Sequence, residues 1–507
     1  MQPTLSRRLI LDPEFRARTD VVLPDPAHLD LPERAIQFGT GAFLRGFVDY
    51  FLDQANRQGR FNGRVVMVGS TGSGRDRTIN EQDGLYTLSI QGLKERERFE
   101  ENRVIGSVSR AISSQGAWGE VLACARNPDL RLVFSNTTEV GITLDQGDDP
   151  SLEPPRSFPG KLARFLLERG RAFDYAEEAG VVVIPCELIE DNGDRLRQIV
   201  LDLAARWGVE EAFGRWIESS VPFCNTLVDR IVPGKPTEER ARELRERLGY
   251  QDEMLTACEV YRLFAIQGDS ALEQRLEFAQ ADPGVIVTSD VTPYRERKVR
   301  LLNGTHTAMV PAALLCGHES VRAAVEDDLV GAFVRKLMFD EIVPTLEAEG
   351  AEQFARDVID RFSNPFIRHA LLDITLQGTM KMRVRNVPTI RRYAQRFGRA
   401  PSAFSFGLAA FLVFMRGELQ ASARERGLRV PPDDQSDRLR EHWEALPDRT
   451  DEALRELAAT TLSDQVLWED DLTSIPGLLT AVSESLIRIE GQGAEPALAA
   501  LLEKDAA

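Results

Sequence analysis

Three residues that together can move a proton and hold an alkoxide lie close in the chain: Lys298, Asn303 and His306, in Tyr294-Arg-Glu-Arg-Lys298-Val-Arg-Leu-Leu-Asn303-Gly-Thr-His306-Thr. On an ideal α-helix, offsets of five and eight residues fall about 140° and 80° around the axis. The three then share one broad side, with Asn303 and His306 one turn apart. Val299, Leu301 and Leu302 interleave them and supply an apolar face that can bury the helix. Partial burial destabilises an ammonium and readies it to exchange a proton with an alcohol or carbonyl oxygen. An asparagine amide can hold the developing alkoxide, and a histidine can bond a substrate hydroxyl. The plainer alternative is an amphipathic helix with a solvated lysine and two packing residues.

A second constellation lies near the amino terminus. Ile36-Gln-Phe-Gly39-Thr-Gly41-Ala-Phe43-Leu-Arg45-Gly46 reads as a strand entering a glycine turn and then a helix from about Ala42 to Gln58. Such a turn gathers free backbone N–H groups at a positive helix end, which suits a dinucleotide pyrophosphate. Leu44 stands where a third glycine would complete the fingerprint. After the second strand, Val68-Gly69-Ser70-Thr71-Gly72-Ser73-Gly74-Arg75 offers no acid for a ribose 2′-hydroxyl, and Arg75 could pair a 2′-phosphate. These residues alone leave NAD and NADP both open.

The elements that must position these groups change character along the chain. Residues 1–33 read as a polar, irregular arm. Apolar runs at Arg34–Phe38, Val65–Val68, Tyr86–Ile90, Val104–Val108, Leu130–Ser135 and Gly180–Pro185 then alternate with helical patterns at Trp118–Arg126, Lys161–Arg169 and Asp194–Trp207. Unalternating runs separated by helices predict a parallel sheet covered on both faces. One more run, Val285–Ser289, precedes Asp290. Beyond Arg295 the pattern is helical: Lys298–Leu315, Val330–Val343, Phe404–Glu418, Glu452–Leu462 and Ile475–Ile489. The charged stretch Thr237–Arg247 reads as a solvated helix face. An α/β domain over 1–290 and a mainly helical domain over 291–507 are therefore expected, within the two to three domains that 507 residues allow.

Composition bounds the partners. Lys and Arg number 62 against 80 Asp and Glu, a net charge of −18, which disfavours nonspecific binding to nucleic acid or an anionic membrane. A small anion then needs a locally basic pocket. Cys124, Cys186, Cys224, Cys258 and Cys316 are scattered and form no Cys-x-x-Cys pair, which argues against a disulfide framework or structural zinc. Without an apolar leader near the start, and with Ala403–Met415 too short to span a bilayer, the expectation is a reduced cytoplasmic protein.

Taken together, Lys298-x4-Asn303-x2-His306, the Gly39/Gly41/Phe43/Arg45 turn, Val228-Asp229-Arg230-Ile231 and Arg361-Phe-Ser-Asn364-Pro365 resemble the polyol-specific long-chain dehydrogenases, a family that includes mannitol dehydrogenase and the hexuronate reductases. The resemblance covers about residues 34 to 490. Its nearest branch is the hexuronate reductases, through IQFGTGAFLRGFVDY, DGLYT, VFSNTTEVGI, PCELIEDNGD, TLVDRIV, PYRERK, LNGTHTA and DLTSIPGL. It implies a Rossmann-type N-terminal domain, a mainly α-helical C-terminal domain and an active site between them. It also implies NAD(H) without a catalytic metal, and NADH-dependent reduction of the keto group of D-tagaturonate to D-altronate. Lys298 would be general acid in reduction and base in reverse, Asn303 would polarise the carbonyl and His306 would bind substrate. Gly39, Gly41, Phe43, Arg45, Ser70, Asn136, Thr138 and Glu139 would serve the cofactor, and Asp229 the substrate.

Two departures from the mannitol dehydrogenase pattern bear on substrate. Leu188, after Cys186-Glu187, stands where a second oxyanion asparagine is expected. Asn192 could replace it, although its place before Gly193 suits a helix entry. Asp373 stands where an arginine is expected, while Arg368 and His369 add positive charge nearby. Lys381 is retained and is followed by Arg383 and Arg385. An arginine fork suits a carboxylate, which a uronate has and mannitol lacks. Arg368 and Lys381, with His369, are thus expected to form the carboxylate site, and Lys298, Arg368, Lys381 and Arg383 to concentrate positive charge. A fructuronate or neutral polyol substrate within the same family, or an NAD(H)-binding sensor without turnover, are the alternatives. A monomer or small homo-oligomer is expected.

Overall fold

The structure, a computed structural model, describes residues 2–70, 74–137, 141–367 and 369–506. The chain divides into two compact units, one of Met1–Gln91 with Arg98–Val291 and one of Gly92–Glu97 with Thr292–Ala507.

The first unit holds eleven strands among the described residues: β1 (Glu33–Phe38), β2 (Arg64–Gly69), β3 (Tyr86–Lys94), β4 (Glu97–Ile105), β5 (Val108–Ser113), β6 (Leu132–Ser135), β7 (Val182–Pro185), β8 (Thr226–Asp229), β9 (Thr256–Glu259), β10 (Leu263–Gln267) and β11 (Val285–Thr288), the tip of the β3–β4 hairpin belonging to the second unit. The central sheet runs β5-β2-β1-β6-β7 and is parallel throughout. Strand side chains alternate between faces, and here both faces are buried. Ala35, Val65, Met67, Phe134 and Ile184 enter one core, while Ile36, Phe38, Val66, Val68, Val133 and Val183 enter the other. Two-sided burial is why the sequence shows continuous apolar runs. The order reverses between β1 and β6, and ligands of such sheets bind beyond the carboxyl ends of the strands at that reversal.

Three features depart from the sequence pattern. The run Val104–Val108 is divided, because β4 ends at Ile105 and β5 starts at Val108. At Gly106 between them, a side-chain carbon would lie 2.9 Å from Pro24. The arm holds short helices, Arg7–Leu11 and Pro13–Arg18, started by the Ser6 and Asp12 side chains. They bury Ile10 and Phe15 in a small core where Phe15 meets Tyr250 edge-on at 5.8 Å. The short strands β8, β9 and β10 are fixed by pairing with distant partners (β8 antiparallel to β10, β9 parallel to β3) rather than by local periodicity.

The second unit is helical, with no strand among its described residues from Thr292 onward. Its central helix, Ser402–Met415, is buried at every position from Ala403 on. No single described helix is long and apolar enough to cross a membrane. Three stretches adopt the wider π turn: Lys298–Gly304, Lys336–Ile342 and Met382–Asn386. Such turns are rare and concentrate at functional sites.

The central helix has no cap of its own, since Pro401 offers no side-chain acceptor. Glu341 supplies it from the second π turn, accepting from Ala403 N at 2.7 Å and Phe404 N at 2.9 Å. Burial outweighs these bonds and pushes the Glu341 carboxyl up to about 7. With the folded pKa above the unfolded one, stability is greatest below the unfolded value and declines as pH rises through the interval up to about 7. That interval corresponds to about 3 kcal/mol. In thermal melts from pH 4.5 to 8, the second unit of the native protein should lose Tm with rising pH more steeply than that of Glu341→Gln. Parallel curves would show that Glu341 does not titrate in this interval.

Candidate active site

In the first unit the glycine turn lies at the carboxyl end of β1. Gly39 takes φ +140°, a left-handed conformation that favours glycine, and a side-chain carbon there would lie 3.0 Å from Leu44 Cδ1 and 3.2 Å from the Asn136 carbonyl oxygen. Gly39 N–H donates to Val68 O at 2.9 Å, which ties the turn to β2. Gly41 caps the helix Ala42–Gly46 in an extended conformation, and a side-chain carbon on it would meet nothing within 4 Å. A helix start leaves its first N–H groups without intrahelical partners. A close turn, free amides and open space at Gly41 are what a pyrophosphate needs. Phe43 stacks on Phe47 at 4.9 Å. Arg45 is buried and faces the protein's own oxygens, donating to Thr40 O at 2.6 Å and Thr256 Oγ1 at 3.0 Å. It braces the turn from beneath.

Beside the turn, at the ends of β1, β2 and β6, opens a cavity of about 720 Å³ lined by Phe38, Val68, Ser70, Thr137, Arg156 and Lys161 among others. Ser70 is exposed at its rim. Asn136 closes the adjacent edge. Its N–H donates to Phe38 O at 3.3 Å and its amide to Cys186 O at 2.8 Å. Thr138 and Glu139 lie outside the described residues.

Glu187 holds this edge together. Its buried carboxylate accepts from Ser135 Oγ, Thr137 N and Thr137 Oγ1, each at 3.0 Å. Its neighbour Leu188, which stands where an oxyanion asparagine is expected, has an exposed side chain; the signal for Glu187 in the sequence is an acid two residues after an apolar strand. Asn192 is fully buried and committed. Its amide donates to Pro185 O, Glu187 O and Thr226 Oγ1, and its oxygen accepts from Gly193 N and Thr226 N. No donor is left for a substrate, so the helix-entry reading of Asn192 is the one the structure supports. Asp229 ends β8 as a buried residue. Next to it Arg230 donates to Gly46 O at 2.8 Å and Glu259 O at 3.0 Å, locking the helix after the glycine turn to β9.

In the second unit the π turn alters the geometry expected of the lysine run. An i→i+5 hydrogen-bond pattern brings residues five apart onto nearly one side. Lys298 and Asn303 are such a pair, so the 140° separation of an ideal α-helix is largely removed. Both are half-buried. His306 sits in the following helix, 9% exposed, stacked on Phe362 at 4.1 Å and edge-on to His369 at 5.1 Å. Its Nε2 has no partner. Burial, reinforced by His369, Arg361, Arg385 and Lys381, holds its pKa well below the ordinary histidine value, so the ring stays neutral.

The segment carrying Lys381 faces the same ring. Lys381 Nζ donates to Ile374 O at 3.0 Å and its pKa is lowered, first by burial and then by Arg385. Arg383, expected to join this positive cluster, instead pairs with Glu469 at 2.9 Å. His369 is half-buried with a lowered pKa, caused by burial. Arg368 lies outside the described residues. Arg300 ties the two π turns together, donating to Val384 O and Arg385 O at 2.9 and 2.8 Å while Glu296 holds its other edge at 3.2 Å. Among the described residues, no group of three or more His, Cys, Asp or Glu side chains is arranged to hold a metal.

Comparison with known proteins agrees with this arrangement. Residues 33–280 match the mannitol dehydrogenase Rossmann domain, and residues 290–490 match the mannitol dehydrogenase C-terminal domain. The chain belongs to the mannitol dehydrogenase family. Within that family it is 42% identical to an altronate oxidoreductase of Bacillus subtilis (strain 168), over 92% of this chain and 95% of the relative. It is 41% identical to an altronate oxidoreductase of Escherichia coli O6:K15:H31, over 92% and 96%. Two solved structures share the fold. Mannitol 2-dehydrogenase of Pseudomonas fluorescens, in ternary complex with NAD and D-mannitol, is 24% identical, with a TM-score of 0.67 over 99% of this chain and 100% of that one. A substrate-free D-sorbitol dehydrogenase is 23% identical, with a TM-score of 0.76 over 98% and 100%. The family membership makes the protein an oxidoreductase of the polyol dehydrogenase type.

Proposed function

We propose that the protein reduces the keto group of D-tagaturonate with NADH to give D-altronate, and runs the reverse reaction when altronate and NAD are in excess. The observation that carries this reading is the group of cations Lys381, Arg385 and Arg361 around the buried, neutral His306, in a chain whose net charge is −18. A sugar acid offers these cations a carboxylate, which a neutral polyol lacks. The named activity of the relatives points the same way.

The cofactor fits the first unit at the glycine turn, with Gly39 and Gly41 at its pyrophosphate, Phe43 and Arg45 supporting the turn, and Ser70 and Asn136 beside the cavity. Thr138 and Glu139, by family analogy, would lie near it. When bound, NADH supplies a hydride to the carbonyl carbon. Lys298 gives a proton to the carbonyl oxygen as negative charge develops there, and regains it from water; in the reverse direction it takes the proton from the hydroxyl. The Asn303 amide donates to the same oxygen. His306, neutral, binds a substrate hydroxyl through its unpartnered Nε2. Lys381, with Arg368, attracts the carboxylate, the neutral His369 donates a hydrogen bond to it, and Asp229 accepts from a hydroxyl.

Initial rates of NADH oxidation with D-tagaturonate, D-fructuronate and D-fructose, repeated with NADPH, test this reading. Tagaturonate with NADH should give the highest kcat/KM, about 100-fold above fructose, the scale set by a charge-assisted carboxylate contact. A preference for fructose would replace the sugar-acid reading with a polyol one. Cofactor binding without turnover of any of the three would make the protein a sensor.

A further inference from the structure

The positive cluster holds one member, Arg385, to which the sequence alone assigns no role. Arg385 lies one turn beyond Lys381 in the third π turn, so the two share a face, while Arg383 points to Glu469. Its backbone is fixed, because Arg385 O accepts from Arg300 at 2.8 Å. Its guanidinium is half-buried and makes one long bond, from Nη1 to Thr307 Oγ1 at 3.3 Å. Thr307 Oγ1 in turn donates to the Asn303 carbonyl at 2.8 Å, so Arg385 is joined through one hydroxyl to the turn that carries Asn303. Among the described residues no carboxylate pairs with Arg385. Asp433 acts on Lys381, Asp373 on His369 and Asp357 on Arg361, and none of the three acts on Arg385.

This arrangement is costly for a protein without a ligand. An arginine partly removed from water is normally matched by a carboxylate. Here its neighbours are another cation, Lys381, and the neutral His306. The chain has acidic residues to spare, and among the described residues none is placed against Arg385. The remaining N–H groups of the fork are therefore available to an incoming planar anion, which arginine binds through two parallel bonds.

We propose that Arg385 is the specificity-determining residue that takes the substrate carboxylate in its fork, with Lys381 adding charge from the neighbouring turn. The proposal rests on the sugar-acid reading above. The bidentate contact orients the chain of the sugar acid so that its keto oxygen is presented to Lys298 and Asn303. Neutral ketoses, which cannot fill the fork, leave Arg385 desolvated and unpaired.

The test compares the native enzyme with Arg385→Met and Arg385→Lys. For each, kcat/KM is measured with D-tagaturonate and with D-fructose, and the shift in Tm is measured with D-altronate and with D-mannitol. The ratio of tagaturonate to fructose kcat/KM should fall about 100-fold in Arg385→Met, chiefly through KM, with Arg385→Lys intermediate because it keeps the charge and loses the fork. Altronate should raise the Tm of the native protein and not that of Arg385→Met. An unchanged ratio, or equal loss with both substrates, overturns the assignment. If Arg385→Met does not fold, an Arg385→Lys enzyme with the native ratio overturns it as well. If the native protein reduces no hexuronate but is still stabilised by altronate in an Arg385-dependent way, the proposed reaction falls and the carboxylate site stands.

Discussion

Lys298→Ala should lose turnover by roughly 1,000-fold, within the range that general acid–base groups contribute, while NADH affinity, measured by fluorescence titration, stays at the native value. Two features of the structure separate these quantities. Lys298 belongs to the second unit, and the glycine turn that fits the cofactor belongs to the first. The lysine also stands at the start of a π turn whose geometry brings Asn303 to its side, so on the proposed mechanism its removal would take away the proton donor and leave the Asn303 amide in place. Retained turnover would remove Lys298 from the mechanism. A matching loss of cofactor affinity would mean that the lysine's role is in holding the nicotinamide cofactor rather than in proton transfer.

The second large effect concerns the glycine turn, where two neighbouring substitutions should behave differently. At Gly39, a side-chain carbon is strained by φ +140° and crowded by Leu44 and the Asn136 carbonyl, a cost of about 1–3 kcal/mol. Gly39→Ala should therefore lower both Tm and NADH affinity. At Gly41 the backbone is extended and the space is open, so Gly41→Ala should leave Tm unchanged. It should nevertheless weaken NADH binding about 10-fold or more, because the added methyl group occupies the approach to the helix start. Titration calorimetry with NADH beside thermal melts reads both. Undiminished affinity in Gly41→Ala would place the cofactor elsewhere.

Much of this architecture was legible in the residues themselves. The runs around Ile36, Val66 and Val133 are continuous because both faces of β1, β2 and β6 are buried, and a glycine turn after the first of them marks the reversal point of the sheet. What was hidden depends on tertiary structure or on a departure from regular geometry. A wheel of 100° per residue cannot show that a π turn brings Lys298 and Asn303 onto nearly one side. The same departure conceals that Arg383 pairs with Glu469 while Arg385, two residues on, has no carboxylate partner among the described residues. Glu187 and Asn192 are bound to Ser135, Thr137 and Thr226, partners far along the chain. The strands β8 and β10 exist because they pair with each other, and nothing in four or five residues specifies that.

The central claim is that a hydride passes from NADH to the keto carbon of a hexuronate. Incubation with NADH carrying two deuterium atoms at C4 and with D-tagaturonate, followed by mass spectrometry and sugar-acid chromatography, measures it directly. D-altronate should carry one deuterium on the former keto carbon and form in step with the NADH consumed. Altronate without deuterium, or no altronate while fructose is reduced under the same conditions, would contradict it.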